Sequence, residues 1–507
     1  MEDGTRIIEA RDGRRIWPFL LLAVTVFLFF RHLIFLQKVP WVSDIRNYYL
    51  PNWEYLSGLL RGGRFSFWCS GIYCGFPLFA DSEMGIFYPP VPLFMLLPST
   101  AGFNYYLVLH YLLGGCFLYL YCRLLDLGRP ASCLAAAPFM LSGFFFAHLV
   151  HPNVVATLAW MPLYLYLLER ALREERFSFH LLAGGVLGLQ CLSGFLMIPL
   201  IEALLSPFYL LLHPRPARRS SKVAALAYWG GSVLLGFGLG MIQNLPSYHL
   251  VNSSYRAGGL SSSLSNVGNL PPMQLVGALF PRAFGRGLAQ SGYLGAWTFE
   301  ETYIYVGILP LLFAPAALGK PRRWPAQFLF WAGAVSLVLS LGNQGLLWPL
   351  LHRLPGFHVL KGPGRFFLVT NICLLVLGAM GFDRWRKGDL KPGQSRRLFR
   401  GWAVLAAVST ALLALLVTLY RADVLHFRDF AAAASGPFLS GIKLPASQVL
   451  EGLTAYFTSP HVELLIPLGL LLFFLFLVRY RWRGAPSRRT AAALVVILAV
   501  LDVLYMA

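Results

Sequence analysis

The sequence predicts an all-α, polytopic integral membrane protein with about thirteen transmembrane helices and long extracytoplasmic loops. Three observations carry that expectation. Of 507 residues, 57% are hydrophobic and only 13% are charged, whereas charged residues make up about a quarter of soluble domains. Apolar runs near the length that crosses a hydrocarbon core recur along the whole chain. Basic residues are sorted onto alternate connections between these runs, as orientation in a bilayer requires. Length alone would suggest about three soluble domains. The unbroken succession of spans indicates instead one integral membrane domain over 1–507.

The first run, 17–36, follows Arg6, Arg11, Arg14 and Arg15 as the core of a signal peptide would. It is too long for one and no small-residue cleavage site follows, so it reads as a retained span. Further spans fall at 101–122, 131–150, 153–169, 179–194, 197–213, 223–247 and 302–319, then at 325–341, 364–383, 401–420, 462–478 and 490–507. The stretch 87–98 is too short and Pro-rich to cross and is expected to form an interfacial or re-entrant helix. The small, polar stretch 251–269 reads as a flexible loop, or more sharply as a lid over a site.

About two thirds of the 42 Lys and Arg collect on one side, in 6–15, 123–129, 170–176, 215–222, 320–323, 384–400 and 479–489. That side is expected to face the cytoplasm, with the N-terminus inside and the C-terminus outside, in a bacterial inner membrane. The formal net charge of +20 is then a topological signal, and no nucleic acid is expected as a partner. Segments 37–100, 248–301, 342–363 and 421–461 face outside; they are long and rich in aromatic, Gly and Pro residues, the kind of segment that builds pockets. Cys116, Cys122, Cys133, Cys191 and Cys373 lie in apolar runs and read as packing residues, while Cys69 and Cys74 share an outside loop where a disulfide can form in an oxidising compartment.

Candidate chemistry concentrates in that first outside loop. Asp44 lies a few residues past the first span, held at a defined depth and flanked by Trp41, Tyr48, Tyr49 and Trp53; interfacial aromatic belts explain the aromatics equally well. Asp81 and Glu83 add two acids that can bind hydroxyls, assist Asp44 or hold a divalent ion such as Mg2+ or Mn2+. His148 and His151 can share a helical face, as metal ligands or, with no third ligand nearby, as hydrogen-bonding residues at a helix end. Outside cations are Arg46, Arg256, Arg282, Lys361 and Arg365, each otherwise a headgroup-facing residue. The chain has no G-x-x-x-x-G-K-[ST], HExxH or G-x-S-x-G, which removes ATP hydrolysis and lipase-type chemistry from consideration.

The run from Asp44 through Tyr48-Tyr49-Leu50-Pro51-Asn52-Trp53, then Gly75-Phe76-Pro77-Leu78-Phe79-Ala80-Asp81 and Phe87-Tyr88-Pro89-Pro90, resembles the YfhO family of bacterial membrane glycosyltransferases. Ser142-Gly143-Phe144 with His148, His151-Pro152-Asn153 and Ala159-Trp160-Met161-Pro162-Leu163 agree with it. So do Gln243-Asn244-Leu245-Pro246, Ser254-Tyr255-Arg256, Tyr305-Val306-Gly307-Ile308, Gly362-Pro363-Gly364-Arg365-Phe366 and Gly381-Phe382-Asp383. The resemblance covers 38–385 in order; 386–507 adds C-terminal spans and a further outside loop. That family is similar to the GT-C superfamily. The resemblance implies a GT-C-like fold, a polyprenyl-phosphate-linked sugar donor, a glycan, lipid or protein acceptor outside the cytoplasm, and Asp44 as the catalytic acid of the first loop.

Elementary chemistry agrees with what the resemblance implies. Nucleotide sugars are made in the cytoplasm, so an outside site needs a donor carried by lipid. Glycosyl transfer to a hydroxyl needs a base for the acceptor proton while positive character develops at the anomeric carbon, and Asp44 can meet both needs. A phosphate leaving group calls for cations, for which Arg is suited by its paired donors. Substrate contacts are therefore expected from Arg46, Tyr48, Tyr49, Asp81, Glu83, His151, Arg256, Lys361 and Arg365. A lipid-linked glycan flippase, or another transporter, would share the many spans but would call for charges near the bilayer midplane, whereas only Arg31, Glu202 and Asp502 fall within spans away from their ends.

Overall fold

The computed structural model describes residues 16–506 except 73, 215–221, 286–292, 298, 320–323, 355–356, 358–359, 391–392, 395, 398–399, 405–444, 459–461 and 480–484. Among the described residues there is no strand; an isolated antiparallel bridge joins Cys69 and Phe76. Helices coincide wholly or in large part with every expected span except 401–420, which falls almost entirely outside the described residues. Ser99–Leu124, Arg129–Val150, Lys222–Leu239 and Pro363–Lys387 are long and apolar enough to cross a membrane, and Trp17–Phe29, Phe177–Leu192, Met197–Leu212, Ile308–Ala317, Trp324–Ser340 and Leu465–Leu477 are shorter apolar helices. Large apolar side chains stand exposed along these helices, Leu234 at 77% and Leu472 at 67%. Such a surface suits hydrocarbon as solvent, and the protein is an integral membrane protein.

Without a hydrophobic drive between helices in lipid, close approach depends on small residues. Helix Ile308–Ala317 lies against Phe367–Lys387, where a Cβ on Gly378 or Gly381 would run into the backbone of Pro310 or Phe313. The expected span 131–150 is interrupted: the helix Arg129–Met140 stops, and a short helix Gly143–Ala147 restarts after Ser142. The break is tertiary in origin. The Gly143 amide donates to the Tyr305 carbonyl in place of a helical partner, and Ser142 is tied to Asn371 at 3.0 Å. A Cβ on Gly143 would come closer than 3.0 Å to the backbone of Tyr303 and Tyr305. Gly143→Ala is therefore expected to lower unfolding stability by about 1–3 kcal/mol, readable as reduced thermal stability of the purified protein.

The expected span 302–319 likewise starts late. Residues 303–307 are non-helical, and the helix begins at Ile308 after Gly307 at φ +87°. Asp502 of the last helix, Ala485–Met506, accepts from the Tyr305 hydroxyl and, at 2.9 Å, from the Ile308 amide. Glu202 accepts from Gln190 at 2.9 Å. Both in-span acids thus accept hydrogen bonds from neighbouring segments.

Connections are tied to one another and to helix ends by polar contacts. Gln243 and Ser247 donate to the carbonyls of Phe79 and Ala80, and Arg282 donates to the Tyr505 carbonyl at 2.8 Å. Arg173 pairs with Asp126 at 3.4 Å, the Gly128 amide donates to Asp383 at 3.2 Å and Arg384 donates to the Gly319 carbonyl at 2.6 Å.

The stretch 87–98 contains the short helix Pro90–Met95, with Leu93 and Leu96 exposed. Two other loop expectations change. The stretch 251–269 is anchored over its second half: Ser265 and Asn269 are buried, the Gly362 and Gly364 amides donate to the Ser265 and Gly268 carbonyls, and Asn269 donates to the Leu341 carbonyl at 3.2 Å. Cys69 and Cys74 are both free thiols; Cys69 is paired through its backbone with Phe76, and Cys74 occupies the intervening turn at φ +60°.

Candidate active site

The site begins where the chain leaves the first span. Ser43 adopts the left-handed conformation at φ +42°, uncommon for a residue with a Cβ and frequent at functional sites. Asp44 follows, and then a π-helical turn, Ile45–Tyr49, leads into the helix Leu50–Arg61. Single π turns inside helices also concentrate at functional sites. Helix Leu50–Arg61 buries Asn52, Trp53 and Leu56 on one face, with Trp53 edge-on to Phe103 at 5.6 Å between ring centroids, which fixes the turn that carries Asp44.

Asp44 Oδ2 accepts from His151 Nε2 at 3.0 Å. Half of the Asp44 side chain is exposed at 51%, against 16% for His151. Donation to a carboxylate places the proton on Nε2, and Nδ1 is buried with no partner among the described residues. Asp44 is therefore the open member of the pair and His151 the one behind it. The hydrogen bond from His151 holds the Asp44 carboxyl below its ordinary value, against the opposing effect of partial burial.

Two more acids stand beside them. Asp81 accepts from the Tyr48 hydroxyl and, at 3.1 Å, from the Glu83 amide. Tyr49 lies 3.2 Å from Glu83 Oε2 and 2.8 Å from Asn153 Oδ1, and Asn153 donates to the Gly194 carbonyl at 3.3 Å. The turn 82–85 and the turn at Ser193–Gly194 touch backbone to backbone, which Gly194 permits at φ +100° because a Cβ would strike the Ser82 carbonyl. Burial raises the Asp81 carboxyl above its ordinary value, and burial together with the charge of Asp81 raises Glu83. Three carboxyls thus share one region with their affinities for protons pulled apart, the open one lowered and the other two raised. That separation is a recurrent mark of functional acids.

Below this cluster Arg365 grips Glu301. Nε lies 3.1 and 3.3 Å from the two carboxylate oxygens and Nη2 lies 2.7 Å from Oε1. The guanidinium stands 5.0 Å over the Phe195 ring. Burial would raise Glu301, but the Arg365 charge prevails and its carboxyl is lowered. His148 is fully buried, with Nδ1 2.8 Å from the Phe144 carbonyl and its ring centroid 5.5 Å from that of His151. Among the described residues no group of three or more His, Cys, Asp or Glu is placed to hold a metal ion.

The remaining expected cations lie elsewhere. Arg46 is exposed and donates to Asn47 at 3.0 Å. Arg256 donates to the Tyr255 hydroxyl at 3.3 Å; its hydrogen bond and charge, with the charge of Lys361, lower that exposed phenol, while Arg256 and Lys361 are themselves half-buried. Arg282 donates to the Tyr505 carbonyl at the end of the last helix. The structure thus brings together Asp44, Tyr48, Tyr49, Asp81, Glu83, His151 and Arg365. Sequence reasoning misses Glu301. The available signal is a pair of adjacent acids, Glu300 and Glu301, at the mouth of an apolar run, where a charge requires a partner.

Residues 91–238 match the model of the family described as dolichyl-phosphate-mannose-protein mannosyltransferase, a stretch well short of half the chain that includes His148 and His151 but not Asp44. A search of curated proteins finds no match. Among solved structures, the chain is similar to ArnT from Cupriavidus metallidurans in the apo state, at 15% identity over 97% of this chain and 76% of that one, with a TM-score of 0.44. It is also similar to the Archaeoglobus fulgidus oligosaccharyltransferase tethered with an acceptor peptide, at 13% identity over 89% of this chain and 56% of that one, with a TM-score of 0.40.

Proposed function

We propose that this protein is a membrane glycosyltransferase that moves a sugar from a polyprenyl-phosphate-linked donor to an extracytoplasmic glycan, lipid or protein acceptor, with Asp44 as general base. The observation that carries the reading is the half-open Asp44 carboxylate, fixed from behind by His151 and set among Tyr48, Tyr49, Asp81, Glu83 and Arg365. The match over 91–238 to a mannosyltransferase family supports the same class of reaction.

In this mechanism the acceptor hydroxyl approaches the exposed side of Asp44, which removes its proton as the oxygen bonds to the anomeric carbon and the bond to the donor phosphate breaks. His151 keeps the carboxylate oriented and ionised. Asp81 and Glu83, both raised, sit beside the sugar, where a protonated carboxyl can donate to a sugar oxygen and an ionised one can accept from a hydroxyl. Arg365 is placed for the phosphate, and Arg256 with Lys361 meets the donor headgroup at the surface.

Two experiments test this reading. Offered a polyprenyl-phosphate-linked sugar and the matching nucleotide sugar separately, purified protein should use only the lipid-linked donor; efficient use of the nucleotide sugar would overturn it. His151→Ala should move the acid limb of the pH–activity profile upward. The His151 hydrogen bond and charge lower Asp44, so their loss leaves burial opposed only by the smaller effect of Ser43, raises the Asp44 value and protonates the base at higher pH. An unmoved limb in an active, folded variant would show that Asp44 does not set it.

A further inference from the structure

We propose that Glu301 is a positioning residue: it holds one edge of the Arg365 guanidinium so that the other edge faces the phosphate oxygens of the lipid-linked substrate. This rests on the functional reading above, and extends it to a residue that neither the sequence motifs nor the family match singles out.

The stereochemistry of the guanidinium carries the inference. A guanidinium has two donor edges, one made by Nε with a terminal nitrogen and one made by the two terminal nitrogens. Glu301 takes the first, through Nε and Nη2. Nη1 makes no hydrogen bond among the described residues, and Nη2 retains a second proton, so the terminal edge is available for a bidentate contact with phosphate. Exchange of Glu301 for a substrate phosphate is disfavoured, because the Glu301 side chain is only 12% exposed and would be left charged in a buried place without its partner. Glu83 and Tyr49 both act electrostatically on the Arg365 guanidinium, which places it in the neighbourhood of the acid cluster. Phe195 under its plane restricts tilting.

Glu301 is fixed in turn by its own segment. The helix Phe299–Thr302 leads into Tyr303–Gly307, whose Tyr305 carbonyl receives the Gly143 amide and whose Tyr305 hydroxyl donates to Asp502. Arg365 follows Gly362, at φ +80°, and the Gly364 amide is bonded to the Gly268 carbonyl at 3.0 Å. Both partners of the pair are thus held by backbone contacts that do not depend on substrate.

The test uses full-length purified protein in detergent, with a polyprenyl monophosphate as probe and the same polyprenol without phosphate as control. Glu301→Gln keeps the shape of the side chain and removes its charge. It should weaken binding of the phosphate probe at least tenfold, leave binding of the polyprenol unchanged, and raise the donor KM more than it lowers kcat. Arg365→Ala should do the same, and adding Glu301→Gln to it should cause no further loss, since one residue acts through the other. Should Glu301→Gln fail to fold, Glu301→Asp, which keeps the charge at a shorter reach, carries the test with partial loss expected. Unchanged phosphate binding in the folded Glu301 variant, or losses that multiply in the double variant, would overturn the inference. If Glu301 governs phosphate-lipid binding and yet no sugar transfer occurs, the inference stands and the enzyme assignment falls.

Discussion

Asp44→Asn should leave the protein folded and able to bind donor while reducing sugar transfer by about 10²- to 10⁴-fold, the loss typical of removing a general base. The structure makes this substitution a clean one. The amide oxygen of Asn can still accept from His151 Nε2, now 3.0 Å from the carboxylate, so the turn at Ser43 and the π-helical entry to Leu50–Arg61 keep their anchor. Only basicity is lost. Asp44→Glu should recover little, because one more methylene displaces the carboxylate by about an ångström, a shift to which reaction geometry is sensitive. Transfer rates, donor binding and thermal stability measured on the same preparations separate the possibilities. Near-normal turnover in the folded Asn variant would move the base to Asp81 or Glu83.

The second large effect concerns Arg365, whose removal has a structural and a functional consequence that can be separated. Arg365→Ala leaves the Glu301 carboxylate, 12% exposed, without its counter-charge. Breaking a buried pair from one side costs about 3–5 kcal/mol, so the single variant should be markedly less stable. Replacing both partners with apolar residues of similar volume removes the buried charge, and Arg365→Met combined with Glu301→Leu should regain most of that stability while donor use stays lost. Arg256→Ala offers the contrast: among the described residues the Arg256 side chain hydrogen-bonds only to the exposed Tyr255 and pairs with no acid, so its loss should weaken donor use with little change in unfolding. If the stabilised double variant uses donor like wild type, the pair is structural alone. If Arg256→Ala does so, Arg256 merely faces headgroups.

Most of the fold is legible in the sequence because apolar length is a local property, read directly from runs such as 101–122 and 364–383. The departures are places where a distant residue decides local structure. Nothing within 131–150 announces that Gly143 will give its amide to Tyr305, and nothing within 302–319 announces that Asp502 will cap a helix at Ile308. The anchoring of 261–269 depends in the same way on amides of Gly362 and Gly364. In the site, Asp44, Asp81 and Glu83 stand in one loop and could be grouped by proximity in sequence. Asp44 and His151 are 107 residues apart and Glu301 and Arg365 are 64 apart, spacings that carry no signal, so the first pair was reachable only as separate candidates and Glu301 not at all. Arg46 and Arg282 were candidates only because of the side on which they lie; that criterion selects a surface, and the structure turns one toward Asn47 and the other toward the last helix.

The central claim is that this protein forms a glycosidic bond and does not merely carry a lipid-linked sugar. Purified wild-type protein reconstituted in vesicles with a polyprenyl-phosphate-linked radiolabelled sugar and a cell-envelope glycan or lipid extract as acceptor decides it. The expected result is label covalently attached to acceptor, with stoichiometric release of polyprenyl phosphate, and loss of both in Asp44→Asn. Label that crosses the bilayer still attached to its polyprenyl carrier, with no new bond and no sensitivity to Asp44, would contradict the account and make the protein a flippase.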